Sequence, residues 1–323
     1  MLIDLSGPPV ELPREIVRHF SECLIAAARS GDIDRPAPPL GVDALRVELG
    51  RALDDNPDEI AVTAGVRSAI PVFGSRLAAT LVEVPTFEGV PLLLRHLGGS
   101  VRRGPWDEVL SSSEAIWITT PGRNPDGAAL TGGERSALDA SPSRFVVVNE
   151  TYRWCVPGGR PFEREVAYVG SLGKAAGPGL PFGWIRGPVV PKLPDQAYRF
   201  SSPPAVVQSA WARFLEQGGL EGIVRQMRAS ASAKAAFAAA AGDALVERRS
   251  GPGLSLLAHL GAGADESAVA RRLREHDVVV NEGADFGAAE PSLRLCFIGV
   301  DEEAAVIAAE QFRAVFADAG GTP

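Results

Sequence analysis

Two spacings of apolar residues alternate along the chain, and they predict alternating helices and strands. Between residues 42 and 53 the apolar positions lie three or four apart, which predicts a helix that Asn56 and Pro57 do not allow to continue. Residues 60–63 are a short, mostly apolar run, as in a buried strand. Gly65 and a second helical pattern follow. This segment therefore predicts a strand–turn–helix unit.

The same alternation recurs as far as residue 185. It predicts strands at 80–84, 100–102, 115–119, 145–148, 166–170 and 182–185, and helices at 87–97 and 133–138. Short apolar strands separated by helices are typical of an α/β fold, with a largely parallel sheet covered by helices on both faces. In such folds the ligand crevice lies at the carboxyl ends of the strands.

The pattern changes after Pro188, and we predict three parts of the chain. Residues 1–41 hold one amphipathic stretch at 15–28 and a proline-rich turn, which indicates an N-terminal arm. Residues 42–190 form the large domain. Residues 191–323 contain predicted helices at 203–217 and 220–245 and predicted strands at 278–281 and 293–298, which indicates a smaller α+β domain.

Composition and charge narrow the class of protein. With 46% hydrophobic and 22% charged residues, the chain has the composition of a globular protein. The formal net charge of -8 gives no electrostatic surface for nucleic acid. Cys23, Cys155 and Cys296 are odd in number and far apart, so we expect neither disulfides nor a metal site. Without an export signal or a membrane-spanning run, we expect a cytoplasmic protein with no membrane partner.

Groups able to bind a ligand follow several predicted strands. They are the backbone N–H groups of Val66 and Arg67 at a helix start, Phe87, Asn124, Asn149, Tyr152, Ser171 and Lys174. A helix N-terminus can hold an anion, an aromatic side chain can stack on a flat ring, and a lysine can condense with an aldehyde. Taken singly, each group also fits ordinary turn or core chemistry, and residues 63–68 alone fit a plain strand–helix turn better. Their order along one sheet edge indicates a site.

Three runs of residues resemble a known family. They are Asn124-Pro125-Asp126-Gly127, Asn149-Glu150-Thr151-Tyr152, and residues 171–180 with Ser171 and Lys174. In this order they resemble the class I and II aminotransferases of pyridoxal-phosphate fold type I, over nearly the whole chain from residue 42. The third run is closest to the aminotransferase-like domain of MocR-type proteins. Those proteins also have a DNA-binding domain, for which we expect no room in 323 residues.

The resemblance implies pyridoxal 5'-phosphate as cofactor and a role for each candidate residue. The implied cofactor ligands are Lys174 as the Schiff-base lysine, Asn124 and Tyr152 on the ring hydroxyl oxygen, Asn149 at the ring nitrogen, Phe87 stacked on the ring, and Val66, Arg67 and Ser171 on the phosphate. Lys174 and Tyr152 would be the catalytic residues. Arg294 would grip the α-carboxylate of an amino-acid or keto-acid substrate, with Asn124 beside it, because its planar fork suits a carboxylate. The resemblance also implies a homodimer with the site at its interface.

The chain departs from the family pattern at three places. Asn149 stands where the family has an aspartate, whose charge keeps the pyridine nitrogen protonated. Pro181 replaces a phosphate-binding arginine or lysine, for which Arg67 and Arg186 are the candidate substitutes. Residues 36–39 lack a tyrosine that reaches the partner's phosphate. We expect weaker cofactor binding and a poorer electron sink.

Two functions remain open from the sequence. One is an enzyme that uses pyridoxal phosphate for transamination or related Cα chemistry, such as decarboxylation, elimination or cyclisation. The other is a degenerate homologue that binds an amino acid or small ligand without turnover. Retention of Lys174 and Arg294 favours the enzyme, whereas the losses at Asn149 and Pro181 favour the binding protein.

Overall fold

The computed structural model describes residues 2–7, 11–155, 162–173, 181–193, 202–247, 249 and 251–317. Its strands are β1 (Ile3–Asp4), β2 (Ile60–Thr63), β3 (Ala79–Glu83), β4 (Ser100–Gly104), β5 (Ala115–Thr119), β6 (Val146–Asn149), β7 (Ala167–Ser171), β8 (Gly183–Arg186), β9 (Ser255–His259), β10 (Val278–Val279), β11 (Asn281–Glu282) and β12 (Ser292–Cys296). Its α-helices are α1 (Arg14–Arg29), α2 (Asp43–Leu53), α3 (Val66–Phe73), α4 (Gly89–His96), α5 (Trp106–Ser111), α6 (Gly132–Asp139), α7 (Ala205–Glu216), α8 (Gly219–Ala241), α9 (Glu266–Glu275) and α10 (Glu302–Ala317).

A seven-stranded sheet forms the centre of the larger part, in the order β2-β8-β7-β6-β5-β3-β4. Strand β8 runs antiparallel to both of its neighbours, and the remaining pairs are parallel. This confirms the predicted α/β fold with a mostly parallel sheet. The parallel strands all end at one edge, and the described candidates Asn149 and Ser171 are the last residues of β6 and β7 there.

Both faces of this sheet are buried, which explains the nearly continuous apolar strands. Trp117 of β5 packs into a core with residues of α3 and α4 on one face. Its neighbours Ile116 and Ile118 point to the other face and pack with residues of α5 and α6. Successive side chains of one strand therefore serve two cores.

A third core joins the helices before and after the sheet. Phe20 of α1, Leu45 of α2 and Trp211 of α7 pack together with Trp184 of β8. The Trp211 ring also stacks on Phe182, with ring centroids 4.6 Å apart. Helices that precede and follow the strands of the large sheet are thereby packed together against β8.

A smaller α+β unit follows, as the sequence predicts. Strands β11, β12 and β9 form an antiparallel sheet that packs with α8 and α10. The predicted strand at 278–281 is two short strands, because the chain changes partner at Val280: β10 pairs with β1, and β11 pairs with β12. The division at residues 41 and 190 stays a prediction. Within the described ranges, no helix is both long and apolar enough to cross a membrane.

Candidate active site

The ends of β2 and β7 meet across β8 to form one part of the site. Thr63 of β2 and Ser171 of β7 are both in register with Gly183, the first residue of β8. The antiparallel strand therefore brings two distant segments together at the carboxyl edge of the sheet. Polar groups that follow β2 lie next to those that end β7.

Helix α3 presents its N-terminus to this edge. Gly65 precedes it with a φ of 111°, a conformation that favours glycine, and no side chain caps the helix. The N–H groups of Val66 and Arg67 therefore face the crevice, while the Arg67 side chain is exposed. A Cβ on Gly65 would lie 3.7 Å from Ser171 Oγ. Helix N–H groups and a nearby hydroxyl suit a phosphate.

The ends of β5, β6 and β7 form the middle of the site. Asn149 is in register with Thr119 on one side and with Val169 on the other. Its side chain is half-buried, and its Oδ1 accepts hydrogen bonds from the backbone N and the hydroxyl of Thr151, at 3.2 and 2.7 Å. Asn149 thus lies at the carboxyl edge, between the strands that carry the other candidates.

Arg294 of the small sheet reaches the large sheet through Asn124. Its Nε donates to Asn124 Oδ1 at 3.1 Å, and its Nη1 donates to Ser6 O at 2.7 Å and to Asn281 Oδ1 at 3.1 Å. Only 5% of Arg294 is exposed. These contacts fix the orientation of a buried guanidinium that can bind a carboxylate through its remaining N–H groups.

Tyr152 lies beside this pair. Burial raises the pKa of its phenol, and Cys296 adds to the shift whereas Arg294 opposes it. A Cβ on Gly122 would lie 2.8 Å from Tyr152 Cβ, so the loop that carries Asn124 passes close to the tyrosine. The hydroxyl stays protonated at neutral pH and is available as a donor.

Lys234 supports the Asn124 loop from α8, and sequence reasoning missed it. Its Nζ donates to the carbonyls of Gly251 and Gly253 at 2.7 and 3.1 Å, and Gly253 N donates to Gly127 O at 3.0 Å. A Cβ on Gly127 would lie 2.3 Å from the backbone O of Ser255, and φ is 70°, so glycine is needed there. The signal in the sequence is a single charged residue within the Ala-rich run 229–241.

Glu83 is a second residue that sequence reasoning missed. It is fully buried at the end of β3, where it accepts from Thr119 N at 2.6 Å and from Trp106 Nε1. Burial raises its pKa from 4.5 to about 7, although Arg123 and the two hydrogen bonds oppose the shift. The sequence marks Glu83 only as a carboxylate that follows four strand residues, Ala79 to Val82.

Arg186 does not replace the missing phosphate ligand. Its Nε and Nη2 each donate to a Glu150 oxygen at 2.7 Å, and its Nη1 donates to Asp55 Oδ2 at 2.6 Å. The guanidinium also lies 3.8 Å from the centroid of the Tyr168 ring. This candidate was wrong, because Arg186 is committed to a buried ion-pair network away from the crevice.

The remaining candidates lie at the rim or outside the described residues. Phe87 follows β3 and is 45% exposed, so one side of its ring is open to a ligand. Pro181 is exposed just before β8. Lys174 and the residues up to 180 lie outside the described ranges. The structure therefore brings together Asn124, Tyr152 and Arg294, and separately Val66, Arg67 and Ser171.

The hydrogen-bonding groups at the carboxyl edge of the sheet suit a phosphate, a ring oxygen and a ring nitrogen, which one cofactor combines. Helix N–H groups with Ser171 suit a phosphate, Tyr152 and Asn124 suit a ring oxygen, and the Asn149 amide suits a ring nitrogen. The mostly parallel seven-stranded sheet, its flanking helices and the smaller unit have the architecture of the fold type I pyridoxal-phosphate enzymes. The model of the family "Aminotransferase class I and II" matches residues 10–312. The chain belongs to this family, whose members use pyridoxal 5'-phosphate, and is an aminotransferase-like enzyme.

Solved structures share the fold over nearly their whole length. Aspartate aminotransferase from Thermus thermophilus with maleate is 23% identical, with a TM-score of 0.79 over 97% of this chain and 91% of that one. An archaeal alanine:glyoxylate aminotransferase is 21% identical, with a TM-score of 0.81 over 98% and 91%. The kynurenine aminotransferase of Pyrococcus horikoshii is 19% identical, with a TM-score of 0.80 over 98% and 91%. None of the curated protein sequences is a significant match to this chain.

Proposed function

We propose that this protein transfers an amino group between an amino acid and a keto acid. The observation that carries the proposal is the hydrogen bond from Arg294 Nε to Asn124 Oδ1 at 3.1 Å. It places a buried guanidinium, suited to an α-carboxylate, against a residue suited to the cofactor ring. A substrate carboxylate held by Arg294 would lie beside Asn124, one of the residues that would hold the cofactor.

Each residue of the edge has a role in this proposal. The N–H groups of Val66 and Arg67 and the Ser171 hydroxyl hold the phosphate, and Phe87 stacks on the ring. Asn124 and Tyr152 would hold the ring hydroxyl oxygen, and the phenol of Tyr152 would donate a hydrogen bond to it. When bound, pyridoxal phosphate supplies an aldehyde for an amine and a ring that withdraws electrons from the substrate α-carbon.

Lys174 is the lysine best suited to carry the cofactor. The chain has three lysines: Lys174, Lys192 and Lys234. Lys192 lies on an exposed turn in an ion pair with Glu165, and the Lys234 amine is held by two backbone carbonyls. Lys174 lies outside the described ranges, but it follows Ser171, the last residue of β7, by three positions in the sequence, which supports this choice. Its amine would also move the proton at the substrate α-carbon.

We also propose a homodimer with the site at the subunit interface, as in the family. The exposed ring of Phe87 and the exposed Pro181 lie at the rim of the crevice, where a second subunit would complete the site. Sedimentation velocity of the protein would test this. The proposal requires a sedimentation coefficient of two chains, whereas a monomer that retains full cofactor binding would contradict it.

The second candidate is a protein that binds cofactor and amino acid without turnover. Asn149 and Pro181 favour it, because they remove a negative charge from the ring nitrogen and a positive charge from the phosphate site. Decarboxylation, elimination and cyclisation are the alternative reactions of an active enzyme.

One assay separates these functions. The protein, loaded with pyridoxal phosphate, is incubated with a panel of amino acids and a keto-acid acceptor, and products are identified by mass spectrometry. We expect a new amino acid made from the acceptor, and none with the Lys174→Ala variant. Carbon dioxide, ammonia or a cyclic product would instead identify another Cα reaction. Binding of amino acids without any product would establish the binding protein.

A further inference from the structure

The orientation of the Asn149 side-chain amide is fixed, because its Oδ1 accepts a hydrogen bond from a backbone N–H. A backbone N–H can only donate, so the Thr151 N–H at 3.2 Å requires Oδ1, and not Nδ2, on that side of the amide. The Thr151 hydroxyl, at 2.7 Å from the same oxygen, donates as well. Thr151 therefore determines which end of the Asn149 amide faces the crevice.

The opposite end of the amide is a donor. Nδ2 has two N–H groups, and within the described part of the chain it has no protein acceptor. Asn149 is half-buried at the end of β6, between Thr119 of β5 and Val169 of β7. The middle of the site thus offers an N–H to a ligand, where an aspartate would offer a carboxylate.

The adjacent carboxylate cannot supply the missing negative charge. Glu150 follows Asn149 directly, but its oxygens accept from Arg186 at 2.7 Å, from Trp184 Nε1 at 2.9 Å and from Arg153 at 3.0 Å. Its charge is neutralised by two arginines on the far side of the strand end. Glu150 lies just after β6, and its side chain is held by Trp184 and Arg186 of β8.

Glu83 and Asp126, the other buried carboxylates near the sheet edge, are also committed. Glu83 accepts from Thr119 N and Trp106 Nε1. Asp126 forms a two-point ion pair with Arg123, with the Nε of the arginine 3.0 Å from Oδ1. Neither leaves an oxygen for a ligand at the Asn149 position.

We propose that Asn149 donates from Nδ2 to the pyridine nitrogen of the cofactor and holds that nitrogen unprotonated. The proposal rests on the proposed function, because it requires pyridoxal phosphate in this site. A pyridine nitrogen that accepts an N–H cannot also carry a proton on the same lone pair. Thr151 is the positioning residue, since it fixes the direction of the amide.

An unprotonated ring withdraws electrons less strongly from the substrate α-carbon. More of the stabilisation of negative charge there must then come from positive groups of the chain, such as the fixed Arg294 guanidinium. The neutral amide and its Thr151 contact thus give this site a weaker electron sink than an aspartate would.

The test is the ¹⁵N chemical shift of the cofactor's ring nitrogen, measured on the protein loaded with ¹⁵N-labelled pyridoxal phosphate. Protonation moves this shift far upfield, so the measurement reports the proton directly and does not depend on turnover. The variants are Asn149→Asp, which places a carboxylate there, and Asn56→Asp, the same change at an exposed asparagine whose Oδ1 accepts from Asp58 N.

We expect the wild type and the Asn56→Asp variant to show the shift of an unprotonated pyridine, constant between about pH 6 and pH 9. Asn149→Asp is expected to show the pyridinium shift. A pyridinium shift in the wild type would overturn the proposal while leaving the proposed function intact. If labelled cofactor does not bind to the wild type at all, both fail. Should Asn149→Asp not fold, the wild-type shift and its pH profile still decide.

Discussion

Arg294 Nε donates to Asn124 Oδ1 at 3.1 Å, across 170 residues of sequence. The arginine belongs to β12 of the small sheet, and the asparagine follows β5 of the large sheet. The bond therefore couples the two parts of the chain at the point where a substrate carboxylate would bind. Ser6 O and Asn281 Oδ1 take the Nη1 donors, so the direction of the fork is set before a ligand arrives.

Arg294→Lys is expected to weaken amino-acid binding without loss of cofactor. A lysine keeps the charge, but its donors share one nitrogen atom and cannot form the planar two-point contact of a guanidinium with a carboxylate. We expect KM for the amino acid to rise about 100-fold, equivalent to roughly 3 kcal/mol. The measurement is steady-state kinetics beside the cofactor absorption spectrum. The matched control is Arg272→Lys, where the arginine donates to Val315 O away from the site. Equal effects of the two variants would contradict the role of Arg294.

Lys234→Met is expected to lower both stability and substrate affinity. The change leaves the carbonyls of Gly251 and Gly253 buried without their donor, which costs about 2–4 kcal/mol of unfolding free energy. It also loosens the loop that carries Asn124, so KM should rise. Denaturant unfolding and kinetics measure the two effects.

The control for Lys234 is Lys192→Met. The Lys192 side chain is 54% exposed in a surface ion pair with Glu165, so its loss should cost less than about 1 kcal/mol. A Lys234→Met variant as stable as the control, with an unchanged KM, would show that Lys234 does not support the loop.

The raised pKa of Glu83 predicts that the free energy of unfolding falls as pH rises. Its pKa is about 7 in the folded protein against an ordinary 4.5, so the folded state binds the proton more tightly. The resulting stabilisation is complete below pH 4.5 and is lost as pH rises through 7. Its upper size is on the order of 3 kcal/mol.

The comparison of wild type with Glu83→Gln isolates this effect, because the amide does not titrate. We expect the difference in unfolding free energy between the two proteins to shift in favour of the variant as pH rises from about 5 to 8. Denaturant unfolding at several pH values measures it. A constant difference across that range would mean that burial does not raise the pKa of Glu83.

Pro181→Arg is expected to tighten cofactor binding. Pro181 is exposed just before β8, where the family has a cationic phosphate ligand, and the Arg186 charge is taken by Glu150 and Asp55. A new guanidinium at this edge should lower the dissociation constant of pyridoxal phosphate about tenfold. Pro181→Gln is the matched control, with similar length and no charge. Equal affinities of the two variants would show that residue 181 does not reach the phosphate.

The large sheet was predictable because its strands are buried on both faces. The strand at 115–119, for example, begins with four apolar residues, and both its position and its length are as predicted. Strand β9 was missed because glycines flank it and because its pairing partner, β12, is distant in the sequence. Short α5 was missed because six residues give too little periodicity.

Only those site residues that a local sequence pattern marks could be predicted. Asn149 and Ser171 follow apolar strands and mark the sheet edge. The partners of Arg186 and Lys234 depend on tertiary contacts, so the sequence offered Arg186 wrongly as a phosphate ligand and did not point to Lys234. The orientation of the Asn149 amide likewise depends on its hydrogen bond from Thr151 N, which the residue type alone does not reveal.

The central claim is that Lys174 carries pyridoxal phosphate, and the most direct test is to locate the cofactor chemically. The loaded protein is reduced with borohydride, which makes the lysine–cofactor bond permanent, and is then digested and analysed by mass spectrometry. Three lysines are the possible sites, and Lys192 and Lys234 serve as internal controls. We predict a phosphopyridoxyl group on Lys174 alone, lost in Lys174→Ala. Modification of Lys234 instead, or of no lysine under conditions that saturate the protein with cofactor, would contradict the account.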